Sequence, residues 1–258
     1  MNLLSQILAH KRGEIDARMA AQPLGVLRAG AEKRPAPPAF AAALRSAPIG
    51  LIAEVKHRSP SAGVIRSPWD PAAIARDYQA GGAHALSVLV DEHFFGGGES
   101  AFTAVRAAVA LPLLYKEFVI DPWQVWHARS IGASAVLLIA AALPDAALAA
   151  LMRECAAAGL EVLLEVHDEA EMRRAAALGA SLIGVNNRDL RTFRTTLETS
   201  HRLRALAPAG CTFVSESGIR DAGDVRALRE AGVHAVLVGE HLLRKPDLAG
   251  AVRDLMGA

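Results

Sequence analysis

EVLLEVHDEAEMRRAAALGASLIGVN (161–186) decides the architecture. It opens on a short apolar run, EVLLEV (161–166), of the kind that suits a strand covered on both faces. Asp168 with Glu171 then makes a capping-box-like helix start, Gly179 closes that helix, and LIGVN (182–186) begins a second apolar run. Strand, helix and strand in so short a span form a βαβ unit with parallel strands.

Working outward, the unit repeats. LIAEV (51–55), ALSVL (85–89), PLLYKEF (112–118), AVLLIA (135–140), CTFVSE (211–216) and AVLVG (235–239) complete a set of eight strands. Asp70-Pro71 and Asp121-Pro122 each place an N-cap before an N1 proline. Gly82, Gly132, Gly179 and Gly232 recur at intervals of about 50 residues, each between a helix and a strand, so two units fill each interval. Eight βα units over residues 49–258 predict an α/β protein with a (β/α)8 TIM barrel, and a doubly wound open sheet is the structural alternative. Residues 1–48 lie outside the repeat: Leu4, Ile7, Leu8 and Ile15 recur at helical spacing, Arg34-Pro35-Ala36-Pro37-Pro38 interrupts the chain, and a short helix is expected near Phe40 to Leu44. They predict an N-terminal helical extension, too short for a core of its own, that packs against the barrel.

Composition excludes several classes. The 258 residues are 52% hydrophobic and 21% charged, far from a disordered chain. Lys plus Arg is 28 and Asp plus Glu is 27, a net charge of +1 with no like-charge block, which gives nucleic acid no basic face. Cys155 and Cys211 lack a metal-ligand spacing, which argues against a structural zinc and for a reducing compartment. Charges at His10 to Arg12 and from Glu14 interrupt the first apolar segment, and the run from Ala135 to Leu143, stopped by Pro144, falls short of the ~18 residues a membrane span needs. A soluble, cytoplasmic protein with no membrane partner is expected.

The strand ends carry the chemistry. In LIAEVK, Ile52, Glu54 and Lys56 share one face by the period-two rule, and that face points into the barrel. Taken alone, Glu54 and Lys56 also admit the plainer reading of a structural ion pair. The pattern recurs, however: Lys116 closes LLYK, Glu165 closes VLLE, Asn186 closes IGVN, and Glu216-Ser217 close FVSES. Two lysines and three glutamates converging on the C-terminal strand ends favour acid/base catalysis, because barrel enzymes place their chemistry there. Ser59-Pro60-Ser61 with Gly63 after strand one, SGIRDAG with Gly218 after strand seven, and VGEHLL with Gly239 after strand eight favour a phosphate cradle of backbone N–H groups. Gly96-Gly97-Gly98 lacks a nucleotide-binding continuation and reads as a flexible active-site loop. His57, His84, His93, His127, His167, His201, His234 and His241 have no metal-collecting spacing and read as surface or packing residues, as Trp123 and Trp126 read as core.

Six ordered stretches resemble the indole-3-glycerol-phosphate synthases of tryptophan biosynthesis: AEVKHRSPSAGVI (53–65), YKEFVIDPWQV (115–125), LLEVHDEAE (163–171), GVNNRDLRTF (184–193), VSESGI (214–219) and VLVGEHLL (236–243). The resemblance implies a cofactor-free and metal-free carboxy-lyase. It would close the ring of 1-(2-carboxyphenylamino)-1-deoxy-D-ribulose 5-phosphate, with loss of carbon dioxide and water, to give indole-3-glycerol phosphate. It makes Lys116 the general acid on the substrate ketone and Glu165 the proton carrier in dehydration. Lys56 becomes the holder of the substrate carboxylate and a later acid, with Glu54 and Glu216 orienting these groups. Asn186 and Ser217 position substrate, Ser59, Gly218 and Gly239 take the phosphate, and Arg188 stands beside the pocket. It also implies a monomer with at most transient contacts to other enzymes of the pathway.

Four positions depart from the family pattern: Gly98-Glu99 for a Gly-Ser pair, Val90 for a threonine, Tyr115 for Arg or Cys, and His241 for a small residue. Other phosphate-binding barrels remain as alternatives. A phosphoribosylanthranilate isomerase would want a Cys/Asp pair where strand one holds Glu54 and Lys56, and an aldolase would form a Schiff base on Lys116. A catalytically silent barrel that binds such a phosphate ligand is the non-enzymatic alternative.

Overall fold

The computed structural model describes residues 3–60, 62–189 and 194–257. Ser61 and residues 190–193 of the GVNNRDLRTF stretch therefore lie outside the described residues. Eight parallel strands close a barrel: β1 (Gly50–Val55), β2 (Ala85–Leu89), β3 (Leu113–Lys116), β4 (Ala135–Ile139), β5 (Glu161–Val166), β6 (Leu182–Asn186), β7 (Thr212–Glu216) and β8 (Ala235–Val238). Closure is by β1, whose Ile52 lies opposite Ala85 of β2 and Leu237 of β8.

Three helices precede the barrel, α1 (Leu3–Ala21), α2 (Leu24–Ala31) and α3 (Phe40–Leu44). The outer layer is α4 (Pro71–Gly81), α5 (Glu99–Ala108), α6 (Pro122–Ser130), α7 (Asp145–Ala157), α8 (Glu169–Ala177), α9 (Glu198–Arg204), α10 (Ala222–Glu230), α11 (Glu240–Leu243) and α12 (Leu248–Met256). Asp70, Asp121 and Asp168 cap α4, α6 and α8 with their side chains. Gly82, Gly132, Gly179 and Gly232 all stand at positive φ where the chain turns from helix to strand, as their spacing predicts. Strand PLLYKEF is shorter than its apolar pattern and ends at Lys116, because the Glu117 carboxylate is drawn to Lys11 of α1 and also accepts the Phe118 N–H. The loop after β1 makes a small antiparallel ribbon, Arg58–Ser59 against Gly63–Val64.

Strand alternation sorts the core into two layers. Leu51, Ala53, Val55, Leu86, Val88, Tyr115, Leu164, Val166 and Phe213 face the helices. Ile52, Ala85, Leu114, Ala135, Leu137, Ile139, Leu163, Leu182, Val214, Ala235 and Leu237 fill the barrel. The lower mouth is stoppered by α3, whose Phe40 and Leu44 join the inner cluster and are fully buried. Inward-facing Glu161 caps α3 by accepting the N–H of Phe40 at 2.5 Å and of Ala41 at 3.1 Å, and Arg45 reaches Thr212 Oγ1 at 2.8 Å. Trp123 and Trp126 are buried between helices, and Arg28 of α2 stacks over the Trp126 ring at 4.6 Å. No helix among the described residues is long and apolar enough to cross a membrane.

Since Phe40 is fully buried against the inner layer, Phe40→Ala is expected to cost ~3–5 kcal/mol of stability, read as a fall in the denaturant midpoint with an unchanged slope. A change under ~1 kcal/mol would show that the stopper does not hold the barrel.

Candidate active site

Six of the eight inward rows run from an apolar residue to a polar residue or a glycine at the C-terminal rim, while those of β2 and β4 end on Leu89 and Ile139. Ile52 leads to Glu54 and Lys56, Leu114 to Lys116, Leu163 to Glu165, Leu182 and Gly184 to Asn186, Val214 to Glu216, and Leu237 to Gly239. All of these polar residues, with Ser59, Arg188, Ser217 and Gly218, line one cavity of about 240 Å³. The structure thus brings together the site residues expected from the sequence, except that Gly63 does not line the cavity and Ser61 lies outside the described residues.

Lys116 is the hub. Its Nζ lies 2.7 Å from Glu216 Oε2 and 3.2 Å from Glu165 Oε2. Lys56 Nζ lies 2.5 Å from Glu54 Oε1. Burial disfavours the Lys116 ammonium, but Glu216, Glu165 and Glu54 together outweigh it and raise its pKa. The sequence leaves open whether burial and a second ammonium or the carboxylates prevail; here the carboxylates do. Burial would likewise raise Glu54 and Glu165, yet Lys56 and Lys116 hold the first below the ordinary carboxylate range, and Lys116 and His167 hold the second well below it. Glu216, more burdened by burial and by its carboxylate neighbours than relieved by Lys116, is pushed up to about 7.

Backbone spacing makes room for this cluster. A Cβ on Gly184 would collide with Glu216 Oε1, and one on Gly239 would lie 2.5 Å from Glu54 Oε1. Behind β7, Asn187 donates to Ser215 Oγ at 2.9 Å and to the carbonyls of Glu216 and Ser217 at 3.0 Å, and accepts from Ser200 N at 3.0 Å. That network fixes Ser217 at φ 66, an uncommon conformation for a residue with a side chain, directly before Gly218 at φ 86. Gly239 precedes the one-turn helix α11.

Several contributors escape the sequence reading. His167 is no packing histidine: its Nε2 lies 3.2 Å from Glu165 Oε1, and its Nδ1 3.1 Å from Glu171 Oε2. It stands two residues past Glu165, as Lys56 does past Glu54, so the period-two rule would have found it. The extension contributes Leu3, Leu4 and Ile7 to the cavity wall. Below them Lys11, 1% exposed, inserts between the strand-two and strand-three loops, 3.0 Å from Asp91 Oδ2 and 2.9 Å from Glu117 Oε2. Asp91 in turn accepts the Phe94 and Phe95 N–H groups, which places Phe95 in the wall beside Phe118 with ring centroids 6.0 Å apart.

The sequence departures fall mostly outside the pocket. Glu99 and Tyr115 both bond His127, at 3.0 and 3.2 Å, behind the sheet. Val90 is buried in the outer layer. Only His241 lines the cavity. The Gly96-Gly97-Gly98 loop also needs correction: none of the three lines the cavity, and Gly97 folds back to bond the Asp91 carbonyl at 2.9 Å.

Fold and site define a (β/α)8-barrel enzyme with a buried acid/base cluster. Residues 4–255 match the sequence profile described as indole-3-glycerol phosphate synthase. The indole-3-glycerol phosphate synthase of Roseiflexus castenholzii is 51% identical over 264 aligned residues, covering 99% of this chain and 98% of that one. That of Rhizorhabdus wittichii is 46% identical, with 99% and 98% covered. The crystal structure of 3-hexulose-6-phosphate synthase from Salmonella typhimurium superposes with a TM-score of 0.66 at 15% identity, covering 81% of this chain and 97% of that one, a likeness of fold. The chain belongs to the indole-3-glycerol phosphate synthase family, carboxy-lyases of tryptophan biosynthesis.

Two outcomes follow from this geometry. Gly184→Ala should leave the circular dichroism spectrum unchanged and lower kcat at least ~10-fold by displacing Glu216, a cost of the order of a lost site hydrogen bond; undiminished turnover would show that Glu216 has slack. The His167 imidazolium, opposed by burial but favoured by Glu165 and Glu171, is raised from 6.5 to about 10. A group raised on folding stabilises fully below its unfolded pKa and loses that contribution as pH climbs through the folded one. The stability advantage of wild type over His167→Gln, from denaturant titrations, should therefore be largest near pH 6 and shrink toward pH 10; a constant difference would contradict the ion pairs.

Proposed function

We propose that this cavity closes the indole ring of 1-(2-carboxyphenylamino)-1-deoxy-D-ribulose 5-phosphate, with Lys116 as general acid. The observation that carries the reading is the Lys116 ammonium, buried yet bridging Glu165 and Glu216 at the centre of the pocket. As the carboxylate-bearing ring carbon attacks the ketone, negative charge grows on the ketone oxygen, and Lys116 supplies the proton. Loss of carbon dioxide then restores the aromatic ring, and loss of water completes the pyrrole.

Glu165 takes the proton released in dehydration. While Lys116 is charged, Glu165 is a weak base; once Lys116 has given up its proton, the strongest influence holding Glu165 ionised is gone and its basicity rises. Acid and base thus act in sequence. Lys56 holds the substrate carboxylate and serves as a later acid, with Glu54 orienting it at 2.5 Å. Asn186, Ser217 and Glu216 meet the ribulose hydroxyls, and Ser59 with the backbone N–H groups at Gly218 and Gly239 receives the phosphate. Arg188 closes the pocket's edge, while Phe95, Phe118, Leu3 and Ile7 offer the aromatic ring an apolar wall.

A Schiff-base aldolase needs a neutral lysine amine, whereas three carboxylates keep Lys116 protonated. Borohydride treatment with substrate should add no mass. The direct test is an indole-fluorescence assay on purified protein. Lys116→Met should lower turnover by ~10²–10⁴ while keeping the fold and substrate binding, and Glu165→Gln should lower kcat far more than it raises KM. Near-normal turnover by Lys116→Met, or a pure affinity loss in Glu165→Gln, would overturn these roles.

A further inference from the structure

Glu165 is held from two sides by two cations. Its Oε2 faces Lys116 at 3.2 Å, while its Oε1 accepts the Asn186 amide at 3.3 Å and lies 3.2 Å from His167 Nε2. His167 is itself anchored. Glu171 Oε2 sits 3.1 Å from Nδ1 and accepts the His167 backbone N–H at 2.8 Å, and the Glu171 N–H is fixed at 2.9 Å by Asp168 at the start of α8. The expected capping box is thereby shifted by one residue, so that the Glu171 carboxylate serves His167 rather than the N-cap.

The two cations differ in what the reaction asks of them. Lys116 gives up its proton during ring closure, and a buried carboxylate left with no cation would tend to neutralise. His167 does not itself line the substrate pocket and meets it only through Glu165; it lines an adjoining polar cavity of about 820 Å³. Its charge is therefore not consumed. We propose that His167, anchored by Glu171, is a positioning residue for Glu165 that keeps the carboxylate ionised after Lys116 has become neutral, until the dehydration proton arrives. This rests on the reading of Glu165 as the proton acceptor in dehydration. The charged groups facing the imidazole are Glu165 on β5, Glu171 and Asp168 at the start of α8, and, across the second cavity, Asp189, Arg188, Arg194 and Arg202. Of these, the carboxylates of Glu165 and Glu171 are the ones in ion-pair contact, so the imidazole is held in its cationic form.

The test combines single-turnover kinetics with kcat–pH profiles for His167→Gln and Glu171→Gln, each also in the Glu165→Gln background. His167→Gln should slow the chemical step at least ~10-fold with KM within about twofold, since ground-state binding is untouched. Its acidic limb should move to higher pH, because Glu165 without its second cation protonates more easily. Glu171→Gln should act in the same direction by a smaller factor, and it carries the test if His167→Gln does not fold. In the Glu165→Gln background neither change should cost more than about twofold. Wild-type kcat with an unshifted limb in both variants, or a full further loss on top of Glu165→Gln, would overturn the proposal. Glu165→Gln with wild-type turnover would instead remove the reading beneath it.

Discussion

A buried ammonium can persist only where carboxylates surround it, and the C-terminal rim of this barrel is organised around that requirement at Lys116. Glu216 and Glu165 contact it directly, and Glu54 adds its field while pairing with Lys56. Of the three carboxylates, Glu216 carries its charge least easily, pushed up to about 7 by burial and by Glu165 and Glu54 against the pull of Lys116. The glycines at 184 and 239 exist in this arrangement as the space into which Glu216 and Glu54 fit.

The same strand rows serve both ends of the barrel. Glu161 and Glu165 lie on one face of β5, four residues apart. The lower one caps the stopper helix α3, while the upper one faces Lys116. Stability at the bottom and chemistry at the top follow from one period-two alternation. The N-terminal extension links the two: α3 fills the lower mouth, and α1 carries Leu3 and Ile7 into the upper cavity. Lys11 joins α1 to Asp91 and Glu117, and Glu117 is the next residue after Lys116.

Strand positions were legible because alternation and helix-ending glycines are local signals. β2, β5 and β6 match their apolar runs residue for residue, and the inward carboxylates and lysines follow from strand parity. What was not legible depends on contacts between distant segments. Lys11 sits on the buried face of α1 between Ile7 and Ile15, a position that looks unfavourable until Asp91 and Glu117 are seen to meet it. Tyr115 and Glu99 read as separate departures, yet both bond His127 behind the sheet. His167 was masked by the abundance of scattered histidines, although its parity with Glu165 placed it on the inward row.

The most direct test of the account is a crystal structure with an unreactive substrate analogue in which the ketone is reduced to an alcohol. Lys116 Nζ should lie within ~3 Å of that oxygen, with the phosphate on the backbone N–H groups at Gly218 and Gly239. An oxygen bound by Lys56 instead, with Lys116 still engaged only by its carboxylates, would contradict the assignment of Lys116 as the acid for ring closure.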